Sequence, residues 1–89
     1  MAFKKTVRIQ NLKGLHARAT SAFVQLADQF KADIRVSKGD LIVSGKSIMG
    51  LMMLAASKGT KIKISASGNQ ATEALSALET LIENKFGED

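Results

Sequence analysis

The sequence predicts an α+β domain in which a four-stranded sheet is covered on one face by three helices. Short segments of alternating apolar and polar residues indicate the strands, and segments with apolar residues at helical spacing indicate the helices. Their order along the chain is βαββαβα. Short, half-polar strands are typical of antiparallel sheets with one solvent-facing side. We therefore expect residues 1–89 to form a single domain, an open-faced β-sandwich with a largely antiparallel sheet.

The alternating segments define the expected strands, Lys4–Ile9, Asp33–Lys38, Leu41–Val43 and Lys61–Ala66. The helical segments are Ala17–Phe30, Ile48–Ala56 and Ala71–Phe86. The first helix is expected to bury Ala19, Phe23, Leu26, Ala27 and Phe30, and the last to bury Ala74, Leu75, Leu78, Leu81 and Ile82. Asn69 is a good N-cap candidate for the last helix, and Gly87 suits its C-terminal end.

Composition excludes several kinds of site. The chain has no cysteine, which rules out disulfides, thiolate catalysis and cysteine-based metal sites. It has one histidine, so no second imidazole could share a metal ion, and we expect neither a metal nor a cofactor. No apolar run approaches the ~20 residues that span a bilayer, and the N-terminus lacks the apolar segment of a signal peptide. We therefore expect a cytoplasmic protein without membrane insertion.

The formal net charge is +5, which fits a nucleic acid, an acidic protein or a phosphorylated ligand as partner. The four aromatic residues are all phenylalanine, and Phe23 and Phe30 fall within a helical pattern. Platforms that stack nucleic-acid bases need exposed aromatic rings in a basic groove. The composition therefore disfavours nucleic-acid binding.

His16 stands where a loop ends and the first predicted helix begins. The first turn of a helix offers unpaired N–H groups and a partial positive charge, which together favour anions. Arg18 adds a donor fork suited to phosphate oxygens, and Gly14 allows a sharp turn. A neutral imidazole can attack phosphorus, and phosphoryl transfer depends mainly on positioning and charge stabilisation. A plain surface or capping histidine fits the same pattern, so these residues alone leave both interpretations open.

The helix expected at Ile48–Ala56 is short and rich in methionine. Its inner face is expected to hold Leu51, Leu54 and Ala55. Its outer face would then expose Ile48, Met49 and Met52. An exposed apolar patch often marks an interaction site, although burial of all these residues in the core is the alternative. Ser47 is placed to be the N-cap, and a phosphate there would put roughly two negative charges beside the patch.

Together these two segments resemble the HPr family, the phosphocarriers of the phosphoenolpyruvate-dependent phosphotransferase system. Gly14-Leu15-His16-Ala17-Arg18 matches the family's phosphohistidine motif, and Ser47-Ile48-Met49-Gly50 matches its serine-site helix. The order of strands and helices fits the family along essentially the whole chain. The resemblance implies a carrier, not an enzyme, in which His16 accepts a phosphoryl group on Nδ1 from enzyme I and passes it to an enzyme IIA.

The resemblance also implies further roles. Arg18 would interact with the phosphoryl group, and Ser47 would be the regulatory serine that HPr kinase/phosphorylase modifies in some lineages. The carrier is expected to be a monomer. The surface expected to contact its protein partners comprises Ala17, Ser21, Ile48, Met49 and Met52.

One departure from the family concerns the residue after Arg18. The family motif commonly continues Arg-Pro-Ala, whereas here Arg18 is followed by Ala19-Thr20. This variant and the methionine-rich helix look more like the nitrogen-regulatory branch, in which the acceptor is a regulatory enzyme IIA. A sugar-transport HPr and a binding module that docks through the Ile48, Met49 and Met52 patch without carrying phosphate are the alternatives. Whether the carboxylates of Glu88-Asp89 approach the site is left open.

Overall fold

The computed structural model describes residues 2–88 of the chain. The strands are β1 (Ala2–Arg8), β2 (Asp33–Lys38), β3 (Leu41–Ser44) and β4 (Lys61–Ser67). The helices are α1 (Ala17–Ala27), α2 (Ile48–Met53) and α3 (Ala71–Glu83), and a short 3₁₀ turn follows at Lys85–Gly87. The βαββαβα order predicted from the sequence is confirmed. Within residues 2–88, no helix has the length and apolar character needed to cross a bilayer.

The sheet has the strand order β1-β4-β2-β3, and every neighbouring pair is antiparallel. Side chains alternate between its faces: Ile62 and Ile64 of β4 are buried, whereas Lys61 and Lys63 are exposed. The helices supply the other side of the core, because α3 packs on β1 and β4 and α2 lies beside β3. The open-faced, antiparallel α+β architecture is therefore confirmed.

The helix faces expected to be inward form much of the core. Phe23 of α1 is buried between Ala19 and Ala27 on the same face, while Leu26 and Phe30 are partly buried against the core. On α3 the fully buried members of the predicted face are Ala74, Leu75, Leu78 and Ile82, and Leu81 is partly buried. This packing holds α1 in the core beside α2 and α3 and so fixes the position of its first residues.

Each helix ends earlier than the sequence pattern predicts. The helix α2 ends at Met53, and its C-cap is Leu54. Ala55 then takes a left-handed conformation (φ 50°) and donates its N–H to the Met52 carbonyl at 3.0 Å, in the manner of an αL helix end. The prediction that Ala55 packs inward is therefore wrong, because the helix on which it depended has already ended and Ala55 is exposed.

The predicted ends of α3 also need correction. Its N-cap is Gln70, not Asn69, and the Gln70 side chain accepts a bond from the backbone N–H of Lys31 at 2.7 Å instead of capping the helix. The helix stops at Glu83 with Asn84 as its C-cap, so Gly87 does not end it. Lys85 and Phe86 both have a φ of 56° and Gly87 has 77°, which turns the chain away from the helix axis.

Candidate functional site

The loop before α1 is pinned to the segment that follows α2. Gly14 has a φ of 66°, and a Cβ atom at this position would lie 2.4 Å from the carbonyl oxygen of Ala56. Leu15 is buried, and its N–H donates to the same Ala56 oxygen at 2.9 Å. Only glycine fits so close an approach in this conformation. The loop therefore delivers His16 to a fixed place at the start of α1.

His16 is the N-cap of α1, with extended backbone angles (φ −87°, ψ 179°), and its carbonyl accepts the N–H of Thr20 at 2.9 Å. Its side chain makes no capping bond. Among residues 2–88, nothing accepts a hydrogen bond from the N–H groups of Ala17, Arg18 and Ala19. This end of the helix therefore presents three free donors and a partial positive charge to an anion.

The imidazole ring of His16 meets the C-terminal end of the chain. Its Nε2 atom lies 2.9 Å from Oε1 and 3.0 Å from Oε2 of Glu88. The two side chains are 28% and 19% exposed, so the contact is shielded from solvent but not enclosed. Within the part of the chain that the structure describes, Nδ1 has no hydrogen-bond partner.

Asn11 connects the loop to this C-terminal end. Its side chain is fully buried, and Nδ2 donates to the Gly14 carbonyl at 2.8 Å and to Glu88 Oε1 at 2.8 Å. Its Oδ1 atom is also buried and has no hydrogen-bond partner among residues 2–88. One buried amide thus ties the Gly14 turn and the Glu88 carboxylate to the same point.

The charges around Glu88 favour its ionised form. Its pKa lies below the ordinary value, first because His16 donates a hydrogen bond to it and then because Asn11 does, while the charges of His16 and Arg18 act in the same direction and partial burial opposes them. A cavity of about 170 Å³ opens here, lined by Leu12, Lys13, His16, Arg18 and Glu88. The predicted pair His16 and Arg18 is therefore brought together at one small basic surface cavity.

A larger but shallow and open groove, of about 810 Å³, lies between α1 and α3 and does not include His16. Glu73 is the one ionisable side chain among the residues that line it, so it offers little for group-transfer chemistry. Within residues 2–88, no group of three or more His, Asp or Glu side chains could hold a metal ion. Of these two cavities, the smaller one brings an imidazole and a guanidinium together.

Ser47 is the N-cap of α2, as the sequence predicts. Its Oγ atom accepts the N–H of Gly50 at 3.0 Å. The outward positions expected for Ile48, Met49 and Met52 are confirmed, with exposures of 42%, 76% and 44%. Met53, at 65%, extends the same surface and was not predicted. We call these four residues the α2 patch.

The inner positions expected for Leu51 and Leu54 are confirmed, since both are buried. The other two predicted contact residues lie one helical turn apart on α1: Ala17 is exposed and Ser21 is half-buried. Because α1 and α2 pack together, these residues and the α2 patch belong to neighbouring helices.

Sequence reasoning missed Asn11 and left Glu88 undecided. The structure shows that Glu88 reaches His16, whereas Asp89 lies outside the described residues. The signal for Asn11 was weak, because a polar residue in a predicted loop is normally solvent-exposed. Its burial depends on the C-terminal turn, which the pattern of α3 did not reveal.

Comparison with known proteins agrees with this fold. A family model, PTS-HPr, described as the PTS HPr component phosphorylation site, matches residues 3–84. The chain is 53% identical over 85 residues to "Phosphocarrier protein HPr" of Neisseria meningitidis, with 96% of each chain covered. It is 47% identical over 83 residues to the protein of the same name from Pseudomonas aeruginosa, with 92% of each covered. The crystal structure of HPr-C-His from Thermoanaerobacter tengcongensis superposes with a TM-score of 0.94, at 47% identity and 98% coverage of both chains.

Proposed function

The chain belongs to the HPr family, the phosphocarriers of the phosphotransferase system, and we propose that His16 is the residue that carries the phosphoryl group. Such a protein is a carrier, not an enzyme, because partners load and unload it. The observation that supports His16 most directly is its place at the start of α1. At that helix end, three backbone N–H groups are unpaired among residues 2–88, and His16 lines one cavity together with Arg18.

These groups suit the transfer step. The lone pair of Nδ1 would attack phosphorus, while the helix N-terminus and Arg18 stabilise the oxygens of the phosphoryl group. Transfer of this kind requires little besides positioning and charge stabilisation, so an open surface cavity is sufficient. We assign Arg18 to the bound phosphoryl group on this basis.

The partners follow from the family. We propose that enzyme I donates the phosphoryl group and that an enzyme IIA accepts it, in the cytoplasm and with residues 1–89 acting as one monomeric domain. Both partners would contact Ala17, Ser21 and the α2 patch. An exposed cluster of three methionines and one isoleucine can adapt to more than one partner surface.

We further propose that the acceptor is a nitrogen-type enzyme IIA in a regulatory relay. Ala19 replaces the proline common in the family, and as the third residue of α1 it keeps an N–H donor that proline would remove. A sugar-transport acceptor is the alternative. Parallel transfer assays from the phosphorylated chain to purified nitrogen-type and sugar-type enzyme IIA decide between them. Faster transfer to the sugar-type acceptor contradicts the regulatory assignment.

Ser47 is proposed as a regulatory phosphorylation site for HPr kinase/phosphorylase. A phosphoryl group on its Oγ would lie at the start of α2, directly beside the α2 patch. The added charge is expected to weaken docking of enzyme I. Titration of Ser47→Asp against enzyme I, with Ser47→Asn as the uncharged capping control, measures this. Equal affinities for the two variants would exclude a charge effect.

The central experiment is incubation with cognate enzyme I and phosphoenolpyruvate. We expect a mass gain of one phosphoryl group that is labile in acid and stable in base, present in the wild type and in Ser47→Ala and absent in His16→Ala. Arg18→Ala is expected to fold normally and to accept the group more slowly. If active enzyme I adds no phosphoryl group to the wild type, the carrier assignment of His16 is wrong. Binding without phosphorylation would instead favour a module that docks through the α2 patch.

A further inference from the structure

The contact between the Glu88 carboxylate and Nε2 of His16 determines which ring nitrogen carries the proton. We propose that Glu88, held by Asn11, is a positioning residue that keeps the neutral His16 ring protonated on Nε2, so that the lone pair stays on Nδ1. This inference rests on the proposed function of His16 as the phosphoryl carrier. It assigns to Glu88 and Asn11 a part in preparing the ring for each transfer.

The argument starts from hydrogen-bond chemistry. An ionised carboxylate only accepts hydrogen bonds, and both oxygens of Glu88 lie within 3.0 Å of Nε2. The nitrogen between them must therefore be the donor. A neutral imidazole has a single N–H, so protonation of Nε2 leaves the lone pair on Nδ1. Carboxylates fix the tautomer of catalytic histidines and of metal-bound histidines in this way.

Two features hold the carboxylate in place. Asn11 donates one bond to Glu88 and another to the Gly14 carbonyl, so the same buried amide positions the tail and the loop that precedes His16. The left-handed turn at Lys85 and Phe86 directs the chain back toward α1, and the buried Phe86 ring anchors that turn. The side chain of Glu88 therefore starts from an anchored backbone two residues away.

The transfer step balances without movement of a proton. The Nδ1 lone pair forms the new N–P bond as the bond between phosphorus and the donor breaks, and the bonding electrons leave with the donor. Nε2 keeps its proton, and the ring then carries a positive charge opposite the Glu88 carboxylate. In the second transfer the N–P electrons return to Nδ1, which restores the original tautomer. Glu88 thus contacts Nε2, while Arg18 stabilises the oxygens of the phosphoryl group.

The experiment reads the tautomer directly. In ¹⁵N-labelled protein at a pH where His16 is neutral, correlations between ring nitrogens and carbon-bound protons distinguish protonated Nε2 from protonated Nδ1. We expect the wild type and the control Glu83→Ala, an exposed glutamate at the end of α3, to show the Nε2-protonated ring alone. Glu88→Ala is expected to show a mixture of the two tautomers.

Phosphorylation by enzyme I supplies the second measurement. Glu88→Ala is expected to lower the maximal rate of phosphoryl acceptance on the order of tenfold, the effect typical of removing a partner that orients a histidine. The KM for the chain as substrate of enzyme I should stay unchanged, because the α2 patch is intact. Asn11→Ala is expected to reproduce the mixed tautomers while leaving circular dichroism unchanged.

The possible results distinguish the positioning role of Glu88 and Asn11 from the proposed function of His16. A single Nε2-protonated tautomer in Glu88→Ala overturns the positioning role even if His16 is phosphorylated normally. A shift in Glu88→Ala that is absent in Asn11→Ala overturns the role of Asn11. Failure of the wild type to accept a phosphoryl group overturns the proposed function of His16, and the nitrogen spectra report the tautomer independently of that result.

Discussion

In both α1 and α2 a glycine lies two residues before the N-cap, but the two N-cap side chains form different contacts. Gly14 precedes the N-cap His16 by two positions, and Gly45 precedes the N-cap Ser47 by two positions. The Ser47 hydroxyl oxygen accepts a backbone N–H of its own helix, whereas the His16 ring makes no capping bond and contacts Glu88. The Ser47 side chain therefore stabilises the start of α2, whereas the His16 side chain leaves the N–H groups at the start of α1 unpaired.

This difference shows how a small domain can place chemistry on its surface. A side-chain cap satisfies one of the free backbone N–H groups at a helix N-terminus and stabilises the helix. The end of α1 keeps its donors, and the loop before it is held by Asn11 and by the contact of Leu15 with Ala56. Stability at α1 comes from the loop and the tail, so the histidine remains available for a ligand.

The largest expected effect concerns the two glycines that precede the caps. Gly14→Ala would place a Cβ atom 2.4 Å from a backbone oxygen at a φ of 66°. Left-handed strain and overpacking together are expected to lower the free energy of unfolding by roughly 2–5 kcal/mol. At Gly45 the Cβ would meet the Cγ2 atom of the buried Ile34 at 2.4 Å, a comparable clash, but the backbone of Gly45 is not left-handed, so the conformational strain is absent. We therefore expect Gly45→Ala to cost less.

Urea unfolding of the two variants measures this prediction, and Gly39→Ala is a useful control. Gly39 shares the positive φ (59°), but a Cβ there meets nothing within 4 Å, so the control reports the cost of the backbone conformation alone. Equal losses for Gly14→Ala and Gly39→Ala would mean that the close approach to Ala56 contributes nothing.

A smaller difference is expected between the caps themselves. Ser47→Ala removes the bond to Gly50 and should destabilise the protein by about 1 kcal/mol, as is usual for the loss of an N-cap. His16→Ala removes no cap and only a partly exposed contact with Glu88, so its cost should stay within about 0.5 kcal/mol. Thermal unfolding of both variants tests the ranking. A larger loss in His16→Ala would show that the ring stabilises the fold as well as serving the site.

The comparison of the two caps also explains what the sequence could reveal. The N-cap Ser47 and the exposure of Ile48, Met49 and Met52 depend on neighbours within about one helical turn, so periodicity and capping rules predict them. Ala55 lies two residues past Met53, the last residue of α2. The apolar periodicity of the sequence continues past the end of α2. A left-handed helix end is usually marked by glycine, so an alanine there gives the sequence no clear sign that the helix stops.

The His16 site depends on contacts between distant parts of the chain. Glu88 is 72 residues from His16 and 77 from Asn11. The contact requires left-handed conformations at Lys85 and Phe86, which non-glycine residues seldom adopt. The residues after Glu83 continue the amphipathic pattern of α3, so the sequence predicts more helix there. The motif around His16 could thus be recognised, but not the groups that hold its ring.

The smallest expected effect is a pH dependence that arises from this tail. Because the folded pKa of Glu88 lies below its ordinary value, its contribution to stability is complete above the unfolded pKa of about 4.3 and is lost as the pH falls through the lower folded value. The advantage of the wild type over Glu88→Gln in unfolding free energy should therefore be present above the unfolded pKa of Glu88 and shrink as the pH falls below it. Glu83→Gln, which removes an exposed carboxylate, is the matched control. A wild-type advantage over Glu88→Gln that persists in acid would show that the charge of Glu88 is unimportant and that its hydrogen bonds to His16 and Asn11 alone hold the tail.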